Sequence, residues 1–171
     1  MYAACLSVIY PIQSLGFSTK SAGDTGRYLI PFSSAAIALG LKDYQGAKQL
    51  VLATAIVQGA TEGLKLATHE RRPNGECCSS FPSAHASSAF TGASFIHFRY
   101  GFQYSIPFYL ASVYVAYSRV QVKAHYTSDV VFGSALAVAG TYLSTTKYIK
   151  GNIAIVANEG YAGIIYRKIF D

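Results

Sequence analysis

Three short clusters carry the side chains able to do chemistry. They are Lys65 with Arg72-Pro73, then Pro82-Ser83-Ala84-His85, then Ser118-Arg119 with His125 and Asp129. Together they supply three cations, two histidines and a carboxylate four residues from one of them. A phosphoryl group in transfer spreads negative charge over its equatorial oxygens, and converging cations stabilise that charge as it develops. Arginine offers a planar fork to two oxygens and lysine a point charge. A carboxylate that fixes an imidazole tautomer leaves the other ring nitrogen as an attacking lone pair. The set suits attack on a phosphate ester by histidine, with no metal and no cofactor called for.

Each cluster alone has a plain structural explanation. Lys65 and Arg72 lie two helical turns apart and share a face if the helix continues to Arg72, where Pro73 ends it; a solvated basic helix end has the same composition. Pro82-Ser83 reads as a helix start whose free N–H groups form an anion site. His85, one turn in, is placed to protonate a leaving alkoxide. A serine-capped helix with a bystander histidine looks alike. His125 and Asp129 could be a structural pair, with Arg119 ending the preceding helix. The order and spacing of all three clusters are what argue for one site. Glu62 is one turn before Lys65 and can pair with it. His69 falls between Lys65 and Arg72 at the edge of the site, His97 reads as an interfacial or core residue, and Glu70 and Glu76 read as surface. No HExxH and no paired Cys/His spacing suggests a zinc site.

The elements that must position these residues read as helices. A Ser/Gly/Thr/Asp stretch from Ser18 to Gly26 reads as a loop, with Asp24 or Thr25 available to cap the next helix. Apolar helices then run over about Tyr28 to Leu41, Ala47 to His69, Ser83 to Phe98, Tyr104 to Val120 and Thr127 to Thr145. Small residues crowd the third (Ala84, Ala86, Ala89, Gly92, Ala93) and recur in the fifth (Gly133, Ala137, Gly140), which lets helices approach closely. The tail, from Ile153 to Phe170, reads as two short strands around Asn158-Glu159-Gly160. The expected fold is all-α, a compact bundle of five to six helices with a short C-terminal β-hairpin. The chain divides into a lead-in over 1–26, a signal remnant or amphipathic segment, a bundle over 27–148 and a tail over 149–171.

Composition narrows the setting. The 171 residues suffice for one domain. Apolar residues make up 51% and charged ones only 13%, about half the usual share, and the mean hydropathy is +0.27. That combination fits helices in or against a membrane. The net charge of +6 is scattered and partly absorbed by the three clusters, so a nucleic-acid partner is not indicated; no obligate protein partner is evident. The three cysteines, Cys5, Cys77 and Cys78, make no disulfide framework, and free thiols are the simpler reading.

On these residues the chain resembles the type-2 phosphatidic acid phosphatases, which share a fold and site with bacterial class A acid phosphatases and vanadium haloperoxidases. The family pattern is Lys-x6-Arg-Pro, Pro-Ser-Gly-His and Ser-Arg-x5-His-x3-Asp, and it is matched over roughly residues 45 to 145. The resemblance implies His125 as nucleophile, Asp129 as its orienting carboxylate and His85 as general acid and then base. It implies Lys65, Arg72, Ser83, the Ala84 amide and Arg119 as ligands of the substrate phosphate. It also implies a phosphorylated lipid substrate and a bacterial inner-membrane location with the site facing the periplasm. A catalytically weak lipid-phosphate-binding protein and a vanadate-dependent haloperoxidase are the alternatives it leaves. Ala84 departs from the family glycine, and a methyl there makes positive φ costly. The stretch from Pro73 to Pro82 is shorter than the family norm.

Overall fold

Five helices form in chain order: α1 (Thr19–Gly40), α2 (Tyr44–Thr68), α3 (Ala84–Tyr100), α4 (Phe102–Gln121) and α5 (Thr127–Ser144). The computed structural model describes residues 18–148, together with the backbone of 151–158 and 161–168. The helices alternate in direction. One end of the bundle therefore gathers the N-termini of α1, α3 and α5 with the C-termini of α2 and α4. All three sequence clusters fall at that end.

α1 begins nine residues earlier than the sequence suggests. Ser18 is its cap, accepting from the Ser21 N–H at 3.1 Å. Gly23 and Gly26 do not break it. A Cβ at either would run into α4, at Ser118 and Arg119 or at Val115, so these glycines serve close packing. The bundle thus includes residues assigned to the lead-in; residues 1–17, with the rest of that lead-in and Cys5, lie outside the described residues.

α2 is capped by Asp43, whose carboxylate accepts from the Gly46 N–H at 2.9 Å. It ends at Thr68, before Pro73. His69 takes a left-handed conformation (φ +47°) and returns its N–H to the Lys65 carbonyl at 3.2 Å, a C-cap that satisfies a terminal acceptor. Arg72 is therefore on the following loop and does not share a helical face with Lys65. That loop closes on itself through Ser80 N–H to the Glu70 carbonyl, and it brings the sulfurs of Cys77 and Cys78 together, where free thiols are the simpler sequence reading.

α3 is the central post. It is buried along most of its length and packs on α1, α2, α4 and α5. Small residues permit this: a Cβ on Gly92 would stand 2.8 Å from the Pro31 nitrogen of α1. Pro31 sits inside α1 and has no N–H to return to the Arg27 carbonyl. The Ser88 hydroxyl of α3 donates to that carbonyl instead, at 2.7 Å.

The bundle is inverted relative to a water-soluble one. Ser34, Thr61, Ser87, Thr91, Ser94, Ser112 and Thr141 are fully buried, while Phe32, Val51, Leu110 and Leu143 are mostly exposed. Small and hydroxyl-bearing residues between helices with large apolar ones outside is the pattern of helices packed in lipid. Among the described residues, α2 is the helix long and apolar enough to cross a membrane.

The architecture established is all-helical. A two-stranded antiparallel ribbon, β1 (Gly151–Asn158) with β2 (Tyr161–Lys168), follows α5. Among the described residues it packs on no helix. An isolated two-stranded ribbon is marginal in water, so the expected hairpin is not a supported part of the fold.

Candidate active site

His125 lies in the short turn between α4 and α5 and is buried. Its Nδ1 is 2.7 Å from the Ser80 carbonyl oxygen. A carbonyl can only accept, so Nδ1 carries the proton and Nε2 the lone pair. From sequence, Asp129 is the orienting group. Its Oδ2 instead stands 3.6 Å from Nδ1, beyond hydrogen-bonding distance. The Asp129 carboxylate accepts from the Ser80 hydroxyl at 2.5 Å, the Tyr126 N–H at 2.9 Å and the Ser128 hydroxyl at 3.3 Å. Asp129 therefore holds the backbone that orients the imidazole, one step removed from it. Burial pushes His125 down to about 4; the Ser80 carbonyl opposes this, Arg72 and Lys65 add to it, and Asp129 opposes it. The ring is neutral at pH 7, as a nucleophile requires.

His85 occupies the first turn of α3. Its ring centre is 6.4 Å from that of His125. Its Nε2 donates to Asp24 Oδ1 at 2.9 Å, which leaves Nδ1 free to exchange a proton. Burial pushes His85 down to about 4; Arg27 and Arg119 add to this and Asp24 opposes it. Each imidazole thus has cations close to it: Arg72 and Lys65 near His125, Arg27 and Arg119 near His85.

The cations are aimed by specific partners. Arg119 of α4 is buried. It donates to Asp24 at 2.6 Å, to the Lys20 carbonyl at 2.7 Å and to the Ser118 hydroxyl at 3.0 Å. Arg72 meets Glu76 at 2.9 Å and Ser79 at 3.2 Å, while its buried Nε has no partner. Lys65 meets Glu62 at 3.2 Å.

The α3 terminus forms the cradle between them. Ser83 is fully buried, and its N–H is fixed to the Asp129 carbonyl at 3.0 Å. The first intrahelical bond of α3 runs from the Ser87 N–H to the Ser83 carbonyl. The N–H groups of Ala84 and His85 precede it and have no helical partner. Ala84 is not among the residues with positive φ, so the methyl group brings no backbone strain. α5 approaches this cradle at Gly133, where a Cβ would stand 2.7 Å from the Ser83 carbonyl oxygen.

Two histidines stay outside. His69 is the exposed cap of α2, and His97 bonds the Tyr109 hydroxyl at 3.1 Å near the other end. Three groups at the site go unassigned in the sequence reading: Asp24, Arg27 and the Ser80 carbonyl. The only sequence signal for Asp24 is a carboxylate one helical turn from Lys20 and Arg27, visible only once α1 is known to extend through it.

The profile of the PAP2 superfamily matches residues 46–152. The chain is 30% identical over 164 residues to the lipid A 4'-phosphatase of Helicobacter pylori strain J99, covering 86% of this chain and 82% of that protein. It is 31% identical over 90 residues to the lipid A 1-phosphatase of Porphyromonas gingivalis, a stretch that is 51% of this chain and 20% of that protein. The crystal structure of Aquifex aeolicus LpxE shares the fold, with a TM-score of 0.67, 19% identity and coverage of 79% of this chain and 86% of that one.

Proposed function

The chain belongs to the PAP2 superfamily, and from that premise we propose that it hydrolyses a lipid phosphate monoester or diphosphate through a phosphohistidine on His125. The observation that carries this reading is the pair of imidazoles with ring centres 6.4 Å apart, each with its tautomer fixed by an acceptor. His125 Nε2 attacks phosphorus, and the bond from phosphorus to the lipid oxygen breaks. His85 gives its proton to the leaving alkoxide. An adjacent phosphate raises the proton affinity of His85, as any opposite charge favours the imidazolium. Water then attacks phosphorus as His85 takes its proton, the nitrogen–phosphorus bond breaks, and inorganic phosphate leaves. Lys65, Arg72, Arg119, the Ser83 hydroxyl and the Ala84 N–H hold the equatorial oxygens. Asp24 is a positioning residue for His85 and Arg119, as Asp129 is for the Ser80 segment.

A lipid substrate is supported by the two relatives, each a lipid A phosphatase by name, and by the exposed apolar belt. The same belt supports residence in the inner membrane. The orientation with the site toward the periplasm rests on the family resemblance alone, because cations flank both ends of the bundle: Lys20, Arg71, Arg72 and Lys123 at the site end, and Lys42, Lys48 and Lys147 at the other. In a background with Cys5, Cys77 and Cys78 replaced by serine, a membrane-impermeant thiol reagent applied to intact cells should label Lys123→Cys; labelling only after lysis would reverse the orientation.

The mechanism is tested with His125→Ala. Phosphate release from a lipid phosphate should disappear, along with an acid-labile phosphoenzyme trapped by rapid denaturation of the parent protein. A variant that keeps more than about a thousandth of the rate has lost no nucleophile, and the assignment of His125 would then be wrong.

A further inference from the structure

Arg27 of α1 stands beside the site without a place in the phosphate cradle. It lies outside the stretch matched by the family profile, which begins at residue 46. Its buried Nε has no hydrogen-bond partner. Among the described residues no carboxylate pairs with it. Asp24, one turn earlier, already accepts from Arg119 and His85. The guanidinium rests on the Tyr28 ring instead, 4.6 Å from its centre. That contact steadies the fork and uses none of its N–H groups. Buried polar groups are normally satisfied, and a buried charge without a partner is costly. We propose that Arg27 binds a second anionic phosphate, one carried on the substrate's leaving group, and so selects doubly phosphorylated lipids over simple monoesters. The inference rests on the phosphatase reading above and narrows it.

The position of Arg27 decides which part of the substrate it meets. In an in-line displacement the nucleophile and the leaving oxygen lie on opposite sides of phosphorus. His125 attacks, so His85 marks the leaving side. Arg27 is on that side. The Ser88 hydroxyl, one turn after His85 on α3, donates to the Arg27 carbonyl at 2.7 Å and ties the two helices at that level. Arg27 is also close enough to His85 to oppose its protonation, as Arg119 does. Arg119 is committed to Asp24, the Lys20 carbonyl and the Ser118 hydroxyl, whereas the Nε edge of Arg27 is open. An arginine fork matches two phosphate oxygens. The leaving oxygen of a plain alcohol offers it no charge until the bond breaks. A leaving phosphate is anionic before and after, so it neutralises Arg27 and favours the protonated His85. With a diphosphate, His125 Nε2 attacks the terminal phosphorus. The bond from that phosphorus to the bridging oxygen breaks, and the lipid monophosphate departs with the electron pair. Water then cleaves the nitrogen–phosphorus bond and inorganic phosphate leaves.

Arg27→Met removes the charge and keeps the stem that lies on Tyr28. Initial rates of phosphate release would be measured on farnesyl diphosphate, on farnesyl monophosphate and on phosphatidylglycerol phosphate, whose second phosphate is one glycerol away from the scissile bond. The readout is kcat/KM on each doubly phosphorylated substrate divided by kcat/KM on the monophosphate. In Arg27→Met that ratio should fall by about ten- to a hundredfold, the scale of one charge-assisted hydrogen bond, and Arg27→Lys should recover part of it. A fall confined to the diphosphate places the second phosphate next to the scissile bond; a fall confined to phosphatidylglycerol phosphate places it one glycerol away. A ratio unchanged on both, as a cation that merely anchors α1 among lipid headgroups would give, overturns the proposal. A second measurement is independent of turnover. His125→Ala protein is titrated calorimetrically with farnesyl methylenediphosphonate and with farnesyl phosphonate. The diphosphonate should bind about tenfold tighter or more, and adding Arg27→Met should abolish the difference; equal affinities before that change overturn the proposal. A diphosphonate preference that depends on Arg27, in a protein whose parent releases no phosphate from any substrate, would leave the Arg27 site standing and remove the phosphatase reading.

Discussion

The two ends of the bundle are built from the same side-chain types and do different things. At the end away from the site, Arg99 grips Asp43 with two parallel bonds, Nε to Oδ2 at 2.7 Å and Nη2 to Oδ1 at 2.5 Å. The Tyr100 hydroxyl and the Gly46 N–H complete the carboxylate, and Arg99 Nη1 donates to the Thr146 carbonyl at 2.7 Å. The pair is 4% and 3% exposed. At the site end Lys65, Arg72 and Arg119 also meet carboxylates, but those partners are open to solvent: Asp24 at 46%, Glu62 at 60% and Glu76 at 63%. There the Nε atoms of Arg27 and Arg72 are buried and unpartnered, whereas the buried unpartnered groups at the other end are neutral hydroxyls, of Thr141 and Thr145. Buried polar groups are normally satisfied. One end is a closed latch between the α1–α2 turn, α3 and the segment after α5. The other holds its cations with partners that a phosphate can replace.

That contrast can be broken by mutation, beginning with the largest effect. Asp43→Ala should destabilise the protein by about 3–5 kcal/mol, because it strands a buried guanidinium. Chemical unfolding would read the loss, while kcat measured below the transition should stay near the parent value. A catalytic defect without a stability defect would erase the distinction between the ends. Arg119→Ala should do the reverse, lowering kcat by about a hundred- to a thousandfold, the scale of a lost transition-state donor. Its effect on unfolding should be smaller than that of Asp43→Ala. Asp24→Asn sharpens the comparison further. Asp24 raises the proton affinity of His85 against burial and the two arginines, so its neutralisation lowers that affinity. A general acid works only while protonated, so the alkaline limb of the rate profile should move to lower pH, with kcat down about tenfold or more. A fall in rate with an unmoved limb would make Asp24 merely structural.

The parts legible in sequence are those whose signal is local. α3, α4 and α5 start and stop within about two residues of the positions their caps and apolar runs suggest, within the ordinary spread of helix boundaries. The residues of the three clusters meet at one end because the helices alternate, which short connections already imply. What was hidden depends on neighbours distant in sequence. Gly23 and Gly26 look like breakers until α4 is packed against them, and with α1 begun too late Asp24 could only look like a cap. Arg72 looks like a helical residue until His69 turns left-handed. The Asp129–His125 spacing suggests a direct bond, yet Ser80, forty-five residues away from His125, supplies the acceptor.

That acceptor has a consequence for how the enzyme tolerates change. The group that sets the reactive tautomer is a peptide oxygen, so no replacement at position 80 deletes it; substitution removes only the hydroxyl that ties the segment to Asp129. A genetic screen of position 80 would therefore return graded, leaky phenotypes, and the oxygen that keeps the proton on Nδ1 would go unnoticed by any method that scores side chains.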